Sequence, residues 1–131
     1  MMSVKPVPKG FHTVTPYLTV KGAAELIDFL RRAFGAKVAG VSKDEDGRVL
    51  HAEVKIGDSI IEASEAHGKW KPMPCAIHLY VKDADRVYKQ ALKAGAKSLY
   101  EPSDRHYGDR EAGVKDPNGN VWYIATHVRD A

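Results

Sequence analysis

Two octets set the tightest constraint on this chain. Residues 17–24 read YLTVKGAA and residues 78–85 read HLYVKDAD, with Leu, Val, Lys and Ala in register. Such self-similarity decides a fold before any single element does, because each copy must form the same supersecondary unit. Each octet runs into a segment of helical period that ends in GAK. Ala23, Leu26, Ile27, Leu30 and Phe34 share one face of the first helix, at i, i+3, i+4, i+7 spacing. Ala84, Val87, Tyr88, Ala91 and Leu92 share one face of the second. Asp83 suits an N-cap, and Gly35 and Gly95 stand where left-handed C-caps belong. The stretches TPYLTV and AIHLYV ahead of the helices alternate as strands do.

The echo continues past the helices. AEVK at 52–55 returns as AGVK at 112–115, each followed by a turn (IGDS, DPNGN) and a closing strand (IIEAS, VWYIAT). Each half therefore reads strand–helix–strand–strand–strand. The units span 13–65 and 76–128, joined by the Gly- and Pro-rich AHGKWKPMPC at 66–75. The expected fold class is α+β, with two repeated βαβββ units forming one curved mixed sheet. Helices would cover its convex side and leave a concave cup opposite, the shape of a largely preformed ligand site.

With 131 residues, the chain is one ordinary domain able to bury a shared core. A formal charge of +3, with Lys and Arg scattered along the chain, argues against nucleic acid or a membrane surface as partner. Apolar runs are far too short for a membrane span, and MMSVKPVPKG lacks the apolar stretch of a signal peptide. Cys75 is the only cysteine, so no internal disulfide can form. A single cytoplasmic domain is expected.

The repeat, together with HAEVKIGDS, HLYVKDAD and YGDREAGVKDPNGNVWYIATH, resembles the vicinal-oxygen-chelate superfamily of glyoxalase, bleomycin-resistance and dioxygenase proteins. The resemblance runs from about residue 13 to 128 and is nearest to the PhnB-like branch. It implies the cup, a homodimer in which halves are sometimes exchanged, and small-molecule binding or chemistry. Metal-using members take one ligand from the first and one from the last strand of each half, usually His and Glu or Gln. At those positions this chain has Thr15, Glu62, Ala76 and Tyr123. One good donor of four does not hold a divalent ion, which needs three or four N/O ligands at about 2.0–2.2 Å. No cofactor is expected at the usual positions, and metal-dependent glyoxalase I chemistry is not expected either.

Strand alternation sorts what the cup contains. With Leu18 and Val20 under the helices, Thr15, Tyr17 and Thr19 face the cup, as do Ala76, His78 and Tyr80 in the second half. His51, Glu53 and Lys55 join from the third strand, Glu62 and Ser64 from the fourth, and Val121, Tyr123 and Ala125 from the last. The ligand-binding set is then Tyr17, His51, Glu53, Glu62, His78, Tyr80 and Tyr123. Aromatic walls with a few polar groups suit a planar or partly aromatic organic ligand.

Three readings of this set stay open. His51, Glu53, Glu62 and His78 form a displaced divalent-metal site. Alternatively, a His or Glu serves as a metal-free general acid or base. With either the displaced metal or the acid–base pair, the chain is a lyase, isomerase or dioxygenase of the superfamily. In the third reading the polar groups orient a bound ligand without chemistry, and the protein binds or sequesters it. Outside the cup, His12 and His67 read as solvated, Trp122 as core and Cys75 as inert. Trp70 either covers the cup or a partner or packs locally. Tyr107 or Arg110 reaches the cup mouth, or the segment makes a local Asp109–Arg110 or Asp104–Arg105 surface contact.

Overall fold

The computed structural model describes residues 4–130. The first half comprises β1 (Tyr17–Val20), α1 (Ala23–Phe34), β2 (Lys37–Lys43), β3 (Val49–Ile56) and β4 (Ser59–Glu65). The second comprises β5 (Ala76–Tyr80), α2 (Ala84–Lys93), β6 (Lys97–Asp104), β7 (Asp109–Lys115) and β8 (Val121–His127). The class is α+β, with two βαβββ units as expected. Their strand orders are β1-β4-β3-β2 and β5-β8-β7-β6, with the first pair of each parallel and the others antiparallel. Even the irregularities repeat. The β2–β3 register slips between Val38 and Gly40, and the β6–β7 register slips between Ser98 and Tyr100.

One expected detail differs. The strands form two four-stranded sheets, and among the described residues no hydrogen-bonded ladder joins β1 to β5. Both strands are edges because the halves meet through their helices and turns instead. Gln90 Nε2 donates to the Arg32 carbonyl (2.8 Å), and Asn118 Nδ2 donates to the Lys21 carbonyl (2.8 Å). The Phe34 ring lies 4.9 Å from that of Trp122. One apolar cluster thus runs through both halves, from Leu18, Leu26, Phe29 and Leu30 to Ala112, Val114, Trp122 and Ile124.

The helix ends show how the repeat is used. Asp83 caps α2 by accepting from the Arg86 N–H (3.1 Å), as expected. Gly35 closes α1 in the left-handed conformation, whereas α2 ends on a right-handed Ala94 with Gly95 taking the positive φ one residue later. A second device was not anticipated. Glu65 accepts from the N–H groups of Gly22 and Ala23, 2.9 Å each. Thr126, at the matching place on β8, accepts from the Ala84 N–H at 2.9 Å. In each half the last strand therefore satisfies orphan donors at its own helix N-terminus. On α1 the deepest residues include Phe29 and Ala33, while Ile27 and Phe34 of the expected face are only partly buried.

Candidate functional site

The faces of the two sheets turned away from the helices carry the candidate residues. The β3–β4 register sets Glu53 opposite Glu62, and His51 lies two residues further along the same face of β3. The His51 Nε2 to Glu62 Oε1 distance is 2.6 Å, and the Tyr17 ring stands 6.1 Å from that of His51. His51, Glu53 and Glu62 converge as possible donors, all three half-buried.

In the second half the row runs His78, Tyr123, Gly113 and Tyr100 across β5, β8, β7 and β6. The next row holds Tyr80, Ala125 and Glu111. His78 packs 4.6 Å from Tyr80 and 6.3 Å from Tyr123, ring to ring. Its Nε2 lies 3.3 Å from Glu111 Oε1 and 3.9 Å from Asp109 Oδ2. Ala125 is fully buried beneath this face rather than exposed in a cup.

The registers reveal a permutation. On the equivalent positions of strands one, three and four, the first half carries Tyr17, His51 and Glu62. The second half carries His78, Glu111 and Tyr123 on β5, β7 and β8. The same three residue types recur in cyclically permuted places. Both halves thereby hold a His–Glu pair beside a tyrosine.

The two pairs differ in burial. Asp109 and Glu111 are only 3% and 6% exposed. Two carboxylates at this depth need compensation. Glu111 receives the hydroxyls of Tyr107 (2.7 Å) and Tyr100 (a very short contact). Burial pushes Glu111 up, but those phenols and His78 outweigh it and hold the group below the ordinary glutamate range. Asp109 is held below its ordinary range by His127 (2.8 Å), against the effect of burial, and then by the Tyr80 hydroxyl (3.1 Å). His127 is raised in turn, because its ring nitrogens bond to Asp130 and Asp109. Burial and then the Glu111 bond push the Tyr100 phenol upward. The Arg105 guanidinium stacks 4.6 Å from the Tyr100 ring but forms no ion pair with either carboxylate.

Asp109, Glu111, Tyr100, Tyr107 and His127 are absent from the set read from the sequence. The sequence marks this strand by AGVK at 112–115, whereas β7 starts at Asp109. Extending the alternation three residues back would have placed Asp109 and Glu111 on the cup face. The same extension corrects Arg110, which points to the helix side. There it grips Asp85 with two bonds (2.6 and 3.0 Å) instead of reaching the cup mouth. Tyr107 does reach the cup face. The four-residue displaced metal set is also divided, since His78 converges with Asp109 and Glu111 and not with His51, Glu53 and Glu62. Trp70 is exposed in the joint beside Lys69.

Residues 10–124 match the Glyoxalase/Bleomycin resistance protein/Dioxygenase superfamily. The chain belongs to that superfamily. An uncharacterized protein of Mycobacterium tuberculosis H37Rv is 33% identical, with 89% of this chain and 75% of the relative covered. TioX from Micromonospora sp. ML1 shares the fold at a TM-score of 0.72 and 20% identity, covering 88% of this chain and 99% of its own. A PhnB protein from Bacillus cereus does so at 0.69 and 13%, again covering 88% and 99%. At these identities the two structures speak for the fold alone.

The positions where superfamily members hold a metal are poor in donors here. Thr15 precedes β1 and bonds back to the His12 carbonyl (3.4 Å), Ala76 has no donor, and Tyr123 is a half-buried phenol. Only Glu62 is suitable, and His51 already engages it. These residues do not fit the superfamily's usual ion.

Proposed function

We propose that this protein binds a small, planar organic ligand on its Tyr- and His-lined sheet faces, holding or sequestering it in the cytoplasm as a homodimer. The observation that carries this reading is the second-half face. There the partly exposed rings of His78, Tyr80 and Tyr123 stand over two buried carboxylates, which are fixed by three phenols and an imidazole. Rings supply a flat apolar wall, and preorganised acceptors orient a donor-bearing ligand at little cost in reorganisation. Among the described residues, no helix is long and apolar enough to cross a membrane. Cys75 has its thiol pushed up by burial and then by Asp116, which suits a compartment where it stays reduced.

Screening planar aromatic compounds by thermal shift tests the reading. A ligand at 100 times its Kd adds about 2.7 kcal/mol of stability. His78→Ala and Tyr123→Ala are each expected to weaken the best compound about tenfold or more. If no compound shifts the melt, or if both variants bind it as wild type does, the reading fails.

The homodimer is supported by the backbone edge of β5, which no other strand pairs among the described residues; the edge of β1 is partly taken, since the Thr19 carbonyl accepts from the Met73 N–H (2.9 Å). Beside β5 runs a groove of about 810 Å³ lined by Phe34, Ile61, Ile77, Leu79 and Trp122. An unpaired edge beside apolar side chains suits a second copy of this chain. Sedimentation velocity at micromolar protein is expected to give twice the chain mass of 14.4 kDa; a monomer at that concentration would exclude it.

The 3.3 Å His78–Glu111 contact favours one further reading, a superfamily lyase, isomerase or dioxygenase that uses this pair for proton transfer. Glu111→Gln separates the two, since it would remove turnover and leave ligand affinity largely intact.

A further inference from the structure

We infer that His78, Asp109 and Glu111 form a binding site for a divalent transition-metal ion, away from the positions the superfamily uses. All three offer donor atoms within 4.8 Å of one another. His78 Nε2 is 3.3 Å from Glu111 Oε1 and 3.9 Å from Asp109 Oδ2. Neighbouring ligands on an ion with bonds near 2.1 Å lie about 3.0 Å apart in an octahedron and about 3.4 Å in a tetrahedron. The His78–Glu111 pair already has that spacing, and the other two separations, all within 4.8 Å, close with side-chain shifts on the order of an ångström.

A second observation, independent of that spacing, points to a cation. Asp109 and Glu111 are more than nine-tenths buried, and among the described residues no Lys or Arg lies within ion-pair distance of either. Against these two charges stand only imidazoles: His127, which Asp130 also shares, and His78 itself. Phenol hydroxyls stabilise a carboxylate but bring no positive charge. A divalent ion supplies it.

The surroundings already have the form of an outer shell. Tyr80 and His127 each hold one oxygen of Asp109, and Tyr100 and Tyr107 each hold one of Glu111. Groups of this kind orient the ligands and are worth 10–100-fold in metal affinity. One imidazole with two carboxylates is a mixed N/O set suited to manganese, iron or zinc, and it leaves coordination positions open toward the cup face. The converging trio of the first half, His51, Glu53 and Glu62, lacks the second observation. Its carboxylates are half-exposed, and Glu62 is paired with His51 at 2.6 Å.

The test uses the full chain, freed of metal by chelator and titrated with MnCl2 while free Mn2+ is followed by electron paramagnetic resonance. One Mn2+ per chain is expected. Asp109→Asn and Glu111→Gln should each weaken it at least tenfold, and Glu62→Gln should leave it unchanged. His78→Ala, at a side chain 37% exposed, gives a further tenfold loss without disturbing the core should a carboxylate variant fail to fold. No saturable binding of Mn2+ or Zn2+, or a full equivalent retained by the His78 and Glu111 variants, overturns the assignment. Because the probe is the metal alone, the outcome is read separately from that of the organic-ligand screen.

Discussion

Replacing Asp116 with alanine is expected to lower the unfolding free energy by about 3 kcal/mol or more, or roughly 10 °C in Tm for a domain of this size. Asp116 is 4% exposed and opens the DPNGN turn. Its Oδ1 accepts from the N–H groups of Asn118 and Asn120 at 2.9 Å each. Its Oδ2 accepts from Asn120 Nδ2 (3.0 Å) and from the Trp122 indole (2.9 Å). Alanine leaves all four donors without their acceptor, and Trp122 and Asn120 are completely buried. The damage reaches further than the turn. Asn120 Oδ1 accepts from the Cys75 N–H (3.1 Å) where the inter-half joint enters β5, and the indole packs on Phe34 from the other half. Asp116→Asn keeps the Oδ1 bonds but turns an NH2 toward two donors, so it should recover less than half of the loss. Trp122→Phe removes one donor and trades the buried indole for a smaller phenyl, so its cost joins a cavity penalty to the loss of one bond. Urea denaturation of the three variants checks these costs. An Asp116→Ala midpoint within error of wild type would show that water replaces the carboxylate without cost.

Asp116 also shows where the sequence stops being informative. DPNG reads as a turn from local chemistry, and Trp122 reads as core from alternation, but their hydrogen bond is a tertiary fact outside both rules. The fold was legible because the repeat compounds weak signals. Two helix faces, two hairpins and paired glycines all keep step, so an error in one is corrected by its twin. The site had no such redundancy. At equivalent positions Tyr17, His51 and Glu62 are answered by His78, Glu111 and Tyr123, so comparing the halves residue by residue hides the correspondence. Glu111 was lost for a second reason: a strand's start is its least determined point, and β7 begins three residues before the recognisable AGVK. The join between halves was illegible too, since strand patterns do not say whether β1 and β5 pair with each other or with nothing.

Gly113→Ala is expected to destabilise the protein by about 1–3 kcal/mol through Tyr100 alone. Gly113 does not use a positive φ, so alanine is compatible with its backbone and, by itself, favourable in a strand. The obstacle is the ring lying across it. An added methyl would stand 2.5 Å from Tyr100 Cε1 and 2.8 Å from Cζ, where carbon atoms at rest keep about 3.5–4.0 Å. Tyr100 must swing away and take its hydroxyl from Glu111, whose remaining partners are then Tyr107 and His78. The equivalent place in the first half supports this account. There β3 carries Glu53, and its neighbour on β2 is Gly40, so the bulk and the gap have exchanged strands. A double-mutant cycle isolates the effect. Tyr100→Ala removes the ring, and adding Gly113→Ala to it should cost nothing further or return a few tenths of a kcal/mol. The coupling energy would then equal nearly the whole penalty of the glycine variant. If the two penalties simply add, the ring is not what reserves this position for glycine. Tyr100 would then be free to move without disturbing the carboxylate it holds.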